Sequence, residues 1–198
     1  TTTGRKPILE MATSDMTSKP EVTIIGMGYV GLTMAATLAN LGINVLGVER
    51  DGDIVQKLNG GRSHIFEPGI DKILSATIGR NLTVQTSIPS GVSGAVVICV
   101  STPVGANDKP DLTNLRAATE SVAENIGAGT LVIVRSTVPV GTCRNVVLPL
   151  LKANGSNVLL ASCPERTIQG RAVEELRELP QVVGGLDEAS TKAAIALW

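Results

Sequence analysis

Aromatic side chains are scarce in this sequence: among 198 residues there are one Trp, one Tyr and one Phe. Hydrophobic residues still make up 43% of the chain, so a sizeable core has to be built from Val, Ile, Leu and Ala. Buried parallel strands prefer such aliphatic side chains. Long apolar runs are also lacking, since none approaches the ~18 residues of a membrane span and no signal-peptide pattern is visible. We therefore expect a cytoplasmic α/β protein.

Excess charge and a cysteine framework are lacking as well. The formal net charge is −1, which gives no general attraction to nucleic acid or to an anionic membrane. Cys99, Cys143 and Cys163 are widely spaced and form no C-x-x-C pair, so neither a disulfide framework nor a zinc site is indicated. We expect no metal, no nucleic-acid partner and no membrane partner.

The stretch from Val22 to Asp51 has the pattern of a dinucleotide-binding unit. Short apolar runs predict strands over 22–25 and 45–48, and apolar residues at helical intervals predict a helix over 29–41. Glu49 follows the second strand directly. Three glycines follow the first strand with the spacing G-x-G-x-x-G, two in the turn and the third in the first turn of the helix: Gly26, Gly28 and Gly31. This order of elements is typical of a nucleotide site, and a purely structural glycine turn is the alternative.

Each part of this unit has a physical reason. Gly26 allows the tight turn, Gly28 lets a pyrophosphate approach the backbone, and Gly31 lets the helix pack close to the sheet. The helix N-terminus offers unpaired amides and a positive dipole end to phosphates. Glu49 lies 21 positions after Gly28, where a carboxylate accepts from ribose hydroxyls and repels a 2′-phosphate. The unit therefore favours NAD over NADP.

Strands and helices alternate through the rest of the chain. Apolar runs predict strands over 82–85, 94–100, 130–134 and 158–161, with a short one over 181–183. Periodicity and capping residues predict helices over 51–58, 70–78, 111–126, 142–152, 171–178 and 187–198. Pro149 requires a kink or an early stop in its helix. The pattern indicates a doubly wound parallel α/β sheet over 21–198, the Rossmann fold, after a polar tail over 1–20.

Hydroxyl side chains follow two of these predicted strands. Thr102 comes after the strand over 94–100, and Thr137 follows the strand over 130–134. Ligands of open α/β sheets bind outside the carboxyl ends of the strands. Both threonines are therefore expected to lie near the cofactor.

The single His and the single Phe lie in a turn-rich stretch over 59–69. One interpretation makes His64 catalytic. The other, which we favour because a single His is weak evidence of catalysis, is a loop between two helices with Ile65 and Phe66 as packing anchors.

Several motifs, in this order, are similar to those of the nucleotide-sugar 6-dehydrogenases, the enzymes that oxidise UDP-glucose and UDP-N-acetylhexosamines. They are GMGYVGL (26–32), HIFEPGI (64–70), STPVGANDKPDLT (101–113), STVPVGT (136–142) and CPERTIQG (163–170). The last of these and LPQVVGG (179–185) are most similar to the UDP-N-acetylmannosamine and UDP-N-acetylglucosamine branch. The resemblance covers about residues 22–198.

The resemblance implies oxidation of the C6 alcohol of a UDP-sugar to a carboxylate with two NAD. Residues matching the NAD site are the glycine turn with Tyr29 and Val30, then Glu49, Thr102 and Thr137. Glu165 matches the glutamate that helps to hydrolyse a covalent thioester, and Thr137 also matches the hydroxyl that positions the water. Arg166 and Thr167 match positions that contact the UDP-sugar. Gln169-Gly170 departs from the Pro-Gly of many members.

The resemblance also implies a longer, homo-oligomeric enzyme of two domains, of which this chain is the N-terminal part. The chain ends inside a helical pattern, as expected where a connecting helix begins. The family's catalytic Cys and Lys, the central helix and the UDP-binding domain would lie beyond it. Cys163 precedes Pro164 and does not match the nucleophile motif. Two alternatives stay open: an NAD-dependent dehydrogenase of the 3-hydroxyacyl or phosphogluconate type, and a non-enzymatic NAD-binding module.

Overall fold

Seven strands form one sheet in the computed structural model, which describes residues 19–105, 108–153, 155 and 157–198. The strands are β1 (Val22–Ile25), β2 (Val45–Val48), β3 (Leu82–Gln85), β4 (Ala95–Ile98), β5 (Leu131–Val134), β6 (Leu159–Ser162) and β7 (Gly184–Gly185). Their order is β3-β2-β1-β4-β5-β6-β7. All neighbours from β3 to β6 are parallel, and β7 runs antiparallel to β6. The predicted Rossmann fold is confirmed, with one antiparallel edge strand.

Helices cover both faces of this sheet. They are α1 (Tyr29–Asn40), α2 (Gly52–Asn59), α3 (Ile70–Thr77), α4 (Thr113–Asn125), α5 (Leu148–Lys152), α6 (Ala172–Glu178) and α7 (Glu188–Leu197). One aliphatic core lies between the sheet and α1, α3 and α7, and the other lies under α4 and α5. β1, β2, β4 and β5 are buried along their whole length, as their continuous apolar runs indicate.

Most predicted elements differ from the observed ones only at their ends. Asp51 caps α2 as expected, because its side chain accepts from the amides of Asp53 and Ile54. The predicted polar tail over 1–20 lies, apart from Lys19 and Pro20, outside the described residues.

The predicted strand over 181–183 is wrong. The observed strand is Gly184–Gly185, which begins directly after the predicted run, and Val182 is exposed. Gln181 is engaged through its side chain, whose Oε1 accepts from the buried Arg135 at 3.1 Å. A Cβ on Gly185 would lie 2.3 Å from the amide nitrogen of Thr191 in α7, so only glycine fits where this strand passes the helix.

Two smaller expectations also need correction. Phe66 is not a packing anchor, since 80% of it is exposed, whereas Ile65 does pack against the core. Pro149 does not stop its helix early, because α5 continues to Lys152. The chain instead forms a wider π-helical turn over Cys143–Val147, directly before Pro149 in the first turn of α5.

The contact that places α1 is a close approach between Gly31 and the end of β1. A Cβ on Gly31 would lie 1.9 Å from the carbonyl oxygen of Gly26, which is far below any real contact distance. Around Gly28, by contrast, a Cβ would meet no described atom within 4 Å. The two glycines therefore serve different purposes, although both belong to one sequence pattern.

This difference predicts opposite outcomes for two alanine substitutions. Gly31→Ala should lower the free energy of unfolding by about 3 kcal/mol or more, because backbone must move to admit the methyl group. Elsewhere in a helix the same change would add stability of about 1 kcal/mol. Gly28→Ala is the matched control and should change stability by less than about 1 kcal/mol. Urea denaturation followed by circular dichroism measures both, and equal stability of the two variants would contradict the packing argument.

Candidate functional site

The candidate site lies at the carboxyl edge of the sheet, beside β1. Strand order changes direction here, because the chain proceeds from β1 to β2 and β3 on one side and returns to β4 on the other. Such a switch point leaves a crevice outside the strand ends. A cleft of about 370 Å³ occupies this position. Its lining includes Gly26, Gly28, Glu49, Arg50, Ser101 and Asn114.

The glycine turn forms one wall of this cleft. Gly26 has a φ of +89°, a left-handed conformation that favours glycine. Gly28 is the N-cap residue of α1, and no side chain caps the helix there. The first amides of a helix lack acceptors within it. Open space at Gly28, together with this uncapped N-terminus, is suited to a dinucleotide pyrophosphate.

Glu49 connects the end of β2 to the glycine turn. Its Oε2 accepts from the amide of Met27 at 2.9 Å, and its Oε1 accepts from the amide of Asp51 at 3.1 Å. A carboxylate oxygen can accept a second hydrogen bond, so both oxygens keep capacity for a ribose hydroxyl. Glu49 therefore fits the expected ribose contact, and it also holds the turn in shape.

Arg50 is directed toward the other wall of the cleft. Its guanidinium donates to Oδ1 of Asn114 at 3.3 Å, and Nδ2 of Asn114 donates to Oγ of Ser101 at 3.0 Å. These bonds join the end of β2 to α4 and to the loop after β4. Asn114 was not among the predicted site residues; its sequence signal is its place near the predicted start of this helix, and it is the second residue of α4.

The structure brings the predicted Thr102 and Thr137 together. The hydroxyl of Thr102 donates to the carbonyl oxygen of Thr137 at 2.7 Å, and Oγ of Ser136 donates to the carbonyl of Val100 at 2.6 Å. The loops that follow β4 and β5 are thereby joined next to the cleft.

Glu165 lies one strand further along, paired with a fully buried arginine. Nε of Arg135 donates to Oε2 of Glu165 at 2.9 Å, and Nη2 lies 2.8 Å from the same oxygen. Oε1 accepts from the amides of Arg166 at 2.7 Å and Thr167 at 2.8 Å. Glu165 is thus an ion-paired carboxylate, and its hydrogen bonds fix the start of the loop that carries Arg166 and Thr167.

Arg135 is the residue that sequence reasoning missed. It has 0% exposure at the end of β5, and its Nη1 donates to the carbonyl of Cys163 at 3.2 Å as well as to Gln181. Its Cζ lies 4.7 Å from the centre of the Trp198 ring, a cation–π distance. The available signal was a charged residue immediately after a buried apolar strand.

The cysteines have the character of packing residues. Burial raises the pKa of Cys163, although Arg135 with its Nη1 at 3.3 Å from Sγ opposes this effect. Burial also raises the pKa of Cys99 to about 12. A nucleophilic thiol needs a lowered pKa, so neither site favours covalent catalysis.

Tyr29 and His64 lie at the border of the site. The Tyr29 hydroxyl donates to Oε2 of Glu67 and accepts from the amide of Gly170 at 2.9 Å, so its side chain binds another loop. Burial lowers the pKa of His64 and so favours the neutral imidazole, and its buried Nδ1 has no hydrogen-bond partner among the described residues.

Two further features are missing from the described part of the chain. His, Cys, Asp and Glu side chains do not come together there in any group of three that would suit a metal ion. Across the same residues, no helix has the length and apolar character needed to cross a bilayer.

The sheet order, the glycine turn and the acidic end of β2 define a Rossmann-type dinucleotide-binding domain. Comparison with known families identifies the family of this domain. Residues 20–198 match the NAD-binding domain of the UDP-glucose/GDP-mannose dehydrogenase family, and the chain belongs to that family. NAD is accordingly its cofactor.

Individual relatives agree with this assignment. The UDP-N-acetyl-D-mannosamine dehydrogenase of Campylobacter jejuni is 33% identical over 190 residues, which are 90% of this chain and 46% of that protein. A solved UDP-D-ManNAc dehydrogenase from Pyrococcus horikoshii has a TM-score of 0.84 at 33% identity, covering 89% of this chain and 43% of that one. A UDP-glucose dehydrogenase from Pyrobaculum islandicum has a TM-score of 0.80 at 29% identity, covering 93% and 45%. The chain spans slightly less than half the length of these relatives.

The position of Glu49 leads to a prediction about cofactor choice. Glu49→Ser should weaken NAD binding about ten- to a hundredfold, because a charge-assisted hydrogen bond is worth about 1.5–3 kcal/mol. NADP binding should improve, since a 2′-phosphate would then meet Arg50 without a repelling carboxylate. Calorimetric titration with each cofactor measures both effects.

Glu49→Gln is the matched control for this experiment, because an amide oxygen can still accept from Met27 while the charge is removed. It should admit NADP as well, with a smaller loss of stability than Glu49→Ser. Unchanged affinities for both cofactors in both variants would contradict the assigned role of Glu49.

Proposed function

We propose that residues 21–198 are the NAD-binding half of a UDP-sugar 6-dehydrogenase. The enzyme would oxidise the C6 alcohol of UDP-N-acetylmannosamine or UDP-N-acetylglucosamine to a uronate with two NAD, and it would work as a homo-oligomer. The proposal rests on the positions of four groups that follow neighbouring strands. The strands β1, β4, β5 and β6 lie side by side, and they are followed, in that order, by the glycine turn, Thr102, Thr137 and Glu165. A cofactor in the cleft would thus lie beside the loop that carries the sugar-binding candidates.

Each group in this row has a task that its surroundings support. The amides at the start of α1 would bind the pyrophosphate, and Glu49 would orient the adenosine ribose. Bound NAD supplies a hydride acceptor. Thr102 and Thr137 would border the nicotinamide end, where the hydroxyl of Thr137 would also orient a water molecule.

Glu165 would take the proton of that water. A general base has to lie within hydrogen-bond reach of the proton that it takes, and Oε2 of Glu165 is held in an ion pair with Arg135. The same ion pair limits the reach of the side chain, because Oε2 faces the buried guanidinium while Oε1 binds the amides of Arg166 and Thr167. Arg166 and Thr167 follow directly and would contact the sugar nucleotide.

The first prediction from this proposal concerns the chain itself. It should bind NAD, because the glycine turn, the uncapped helix and Glu49 are all present, but it should not turn over UDP-N-acetylmannosamine, because no cysteine in it matches the family's nucleophile motif. Calorimetry with NAD and absorbance of NADH with both ligands present are the two measurements.

Gly28→Ala is the control for binding, since it adds a methyl group to the open space at the turn without meeting another atom. It should remove NAD binding and leave the fold intact. Steady NADH production by the unmodified chain would show that the catalytic centre lies within this chain. A folded chain that does not bind NAD would contradict the whole proposal.

A second prediction requires the longer enzyme. Glu165→Gln should slow the second half-reaction by about 10²–10⁴, the usual effect of removing a general base. A covalent enzyme–sugar adduct should then accumulate and appear in the intact mass. Substrate binding should change less, because the amide oxygen can still accept from Arg166 and Thr167.

Glu174→Gln is the matched control, since Glu174 is an exposed carboxylate on α6 that pairs with the exposed Arg171. It should turn over normally. Because Glu165→Gln also leaves Arg135 without its anion, thermal unfolding of each variant is recorded, and the comparison is made where both are folded. Normal turnover by Glu165→Gln would make the residue structural.

A further inference from the structure

The loop over 165–171 is held by an unusual set of acceptors. Three carboxylates bind its backbone amides: Glu165 accepts from Arg166 and Thr167, Glu175 accepts from Ile168 at 2.8 Å, and Glu67 accepts from Gly170 at 2.8 Å. Glu165 and Glu175 are local to the loop. Glu67 is not, because it precedes Gly170 by 103 residues and lies in the segment before α3. Part of the loop's shape is thus set from a distant segment.

Glu67 also completes α6. The N-cap residue of that helix is Arg171, which provides no side-chain cap. Oε1 of Glu67 accepts from the amide of Val173 at 3.3 Å, and so the carboxylate satisfies a donor that would otherwise lack an acceptor. Glu67 is 5% exposed, and these contacts satisfy the oxygens of a side chain that is almost fully removed from water.

The second connection of Glu67 leads to the glycine turn. Tyr29 is the first residue of α1, and its hydroxyl donates to Oε2 of Glu67, the same oxygen that accepts from Gly170. Gly170 also donates to the Tyr29 hydroxyl. Burial and the neighbouring Glu67 raise the pKa of Tyr29 to about 12, so the phenol keeps its proton at neutral pH. Three segments therefore meet at one buried carboxylate.

We propose that Glu67 is a positioning residue that, together with Tyr29, holds the 165–171 loop in register with the cofactor-binding turn and couples the two. The proposal rests on the function proposed above. NAD bound at the start of α1 restrains Tyr29, Tyr29 restrains Glu67, and Glu67 restrains the amides of Gly170 and Val173. The loop with Arg166 and Thr167 is thereby prepared for the sugar nucleotide when the cofactor is in place, and by thermodynamic linkage the effect is reciprocal.

A purely structural role makes a different prediction. If Glu67 only caps α6, its contacts contribute to stability, and NAD binding at the glycine turn does not change the 165–171 loop. Tyr29→Phe separates these cases, because it removes one hydroxyl and leaves the bonds from Glu67 to Gly170 and Val173 in place. Thr119→Val is the matched control, since it removes a buried hydroxyl from α4 on the other face of the sheet.

The experiment measures amide hydrogen exchange over residues 166–175 in the 198-residue chain, without NAD and with saturating NAD. Without NAD, exchange at Gly170 should be about two- to tenfold faster in Tyr29→Phe than in the unmodified chain, the range expected for one hydrogen bond. NAD should slow exchange at Gly170 and Val173 in the unmodified chain and in Thr119→Val. In Tyr29→Phe, NAD is raised to saturation as defined by that variant's own calorimetric titration, and the slowing should be lost.

Glu67→Gln provides a second variant. Its amide keeps one acceptor oxygen, so the chain should fold, and it should lose the NAD-dependent slowing as Tyr29→Phe does. NAD binding with no change of exchange over 166–175 in the unmodified chain would overturn the coupling alone, as would an NAD response in Tyr29→Phe equal to that of the unmodified chain. Absence of NAD binding to the folded, unmodified chain would overturn both the coupling and the proposed function.

Discussion

A buried guanidinium sets the arrangement of the carboxyl edge of this sheet. Removing a charge from water is unfavourable by several kcal/mol unless it is paired and hydrogen-bonded. Nε and Nη1 of Arg135 bind Glu165, the carbonyl of Cys163 and Gln181, and the ring of Trp198 covers the group. Nη2 lies 2.8 Å from the Glu165 carboxylate but has no hydrogen bond of its own among the described residues, so the ion pair with Glu165 is what offsets its burial. The end of β5, the end of β6, the segment before β7 and the end of α7 must therefore all be in place together.

Carboxylates shape the loops of the candidate site in the same way. Glu49 binds an amide of the glycine turn, Glu165 binds two amides of the loop after β6, and Glu67 binds an amide of that loop and one of α6. Charge-assisted bonds of this kind are stronger than neutral ones, and they fix backbone without a large core. The backbone of the glycine turn and of the loop after β6 is therefore held by carboxylate side chains.

The sequence predicted what depends on neighbouring residues. Continuous apolar runs gave the buried strands, and the spacing of Gly26, Gly28 and Gly31 gave the turn, because both follow from local geometry. The predictions that failed concern residues placed by contacts with distant parts of the sequence. Phe66 lies outside the core although its neighbour Ile65 packs against it, and Gln181 lies outside β7 and accepts a hydrogen bond from Arg135. The bond between Glu67 and Gly170 joins positions whose proximity no local pattern encodes.

The short β7 also limits how the sheet can be extended at this edge. An unpaired edge strand exposes a row of amides and carbonyls that can template pairing with another copy. β7 pairs with β6 through two glycines only, and the chain then leaves the edge at Asp187, which caps α7. Its opposite direction and small length leave little backbone along which a further strand could extend the sheet. This edge of the folded sheet therefore offers few free backbone groups with which a strand of another molecule could pair.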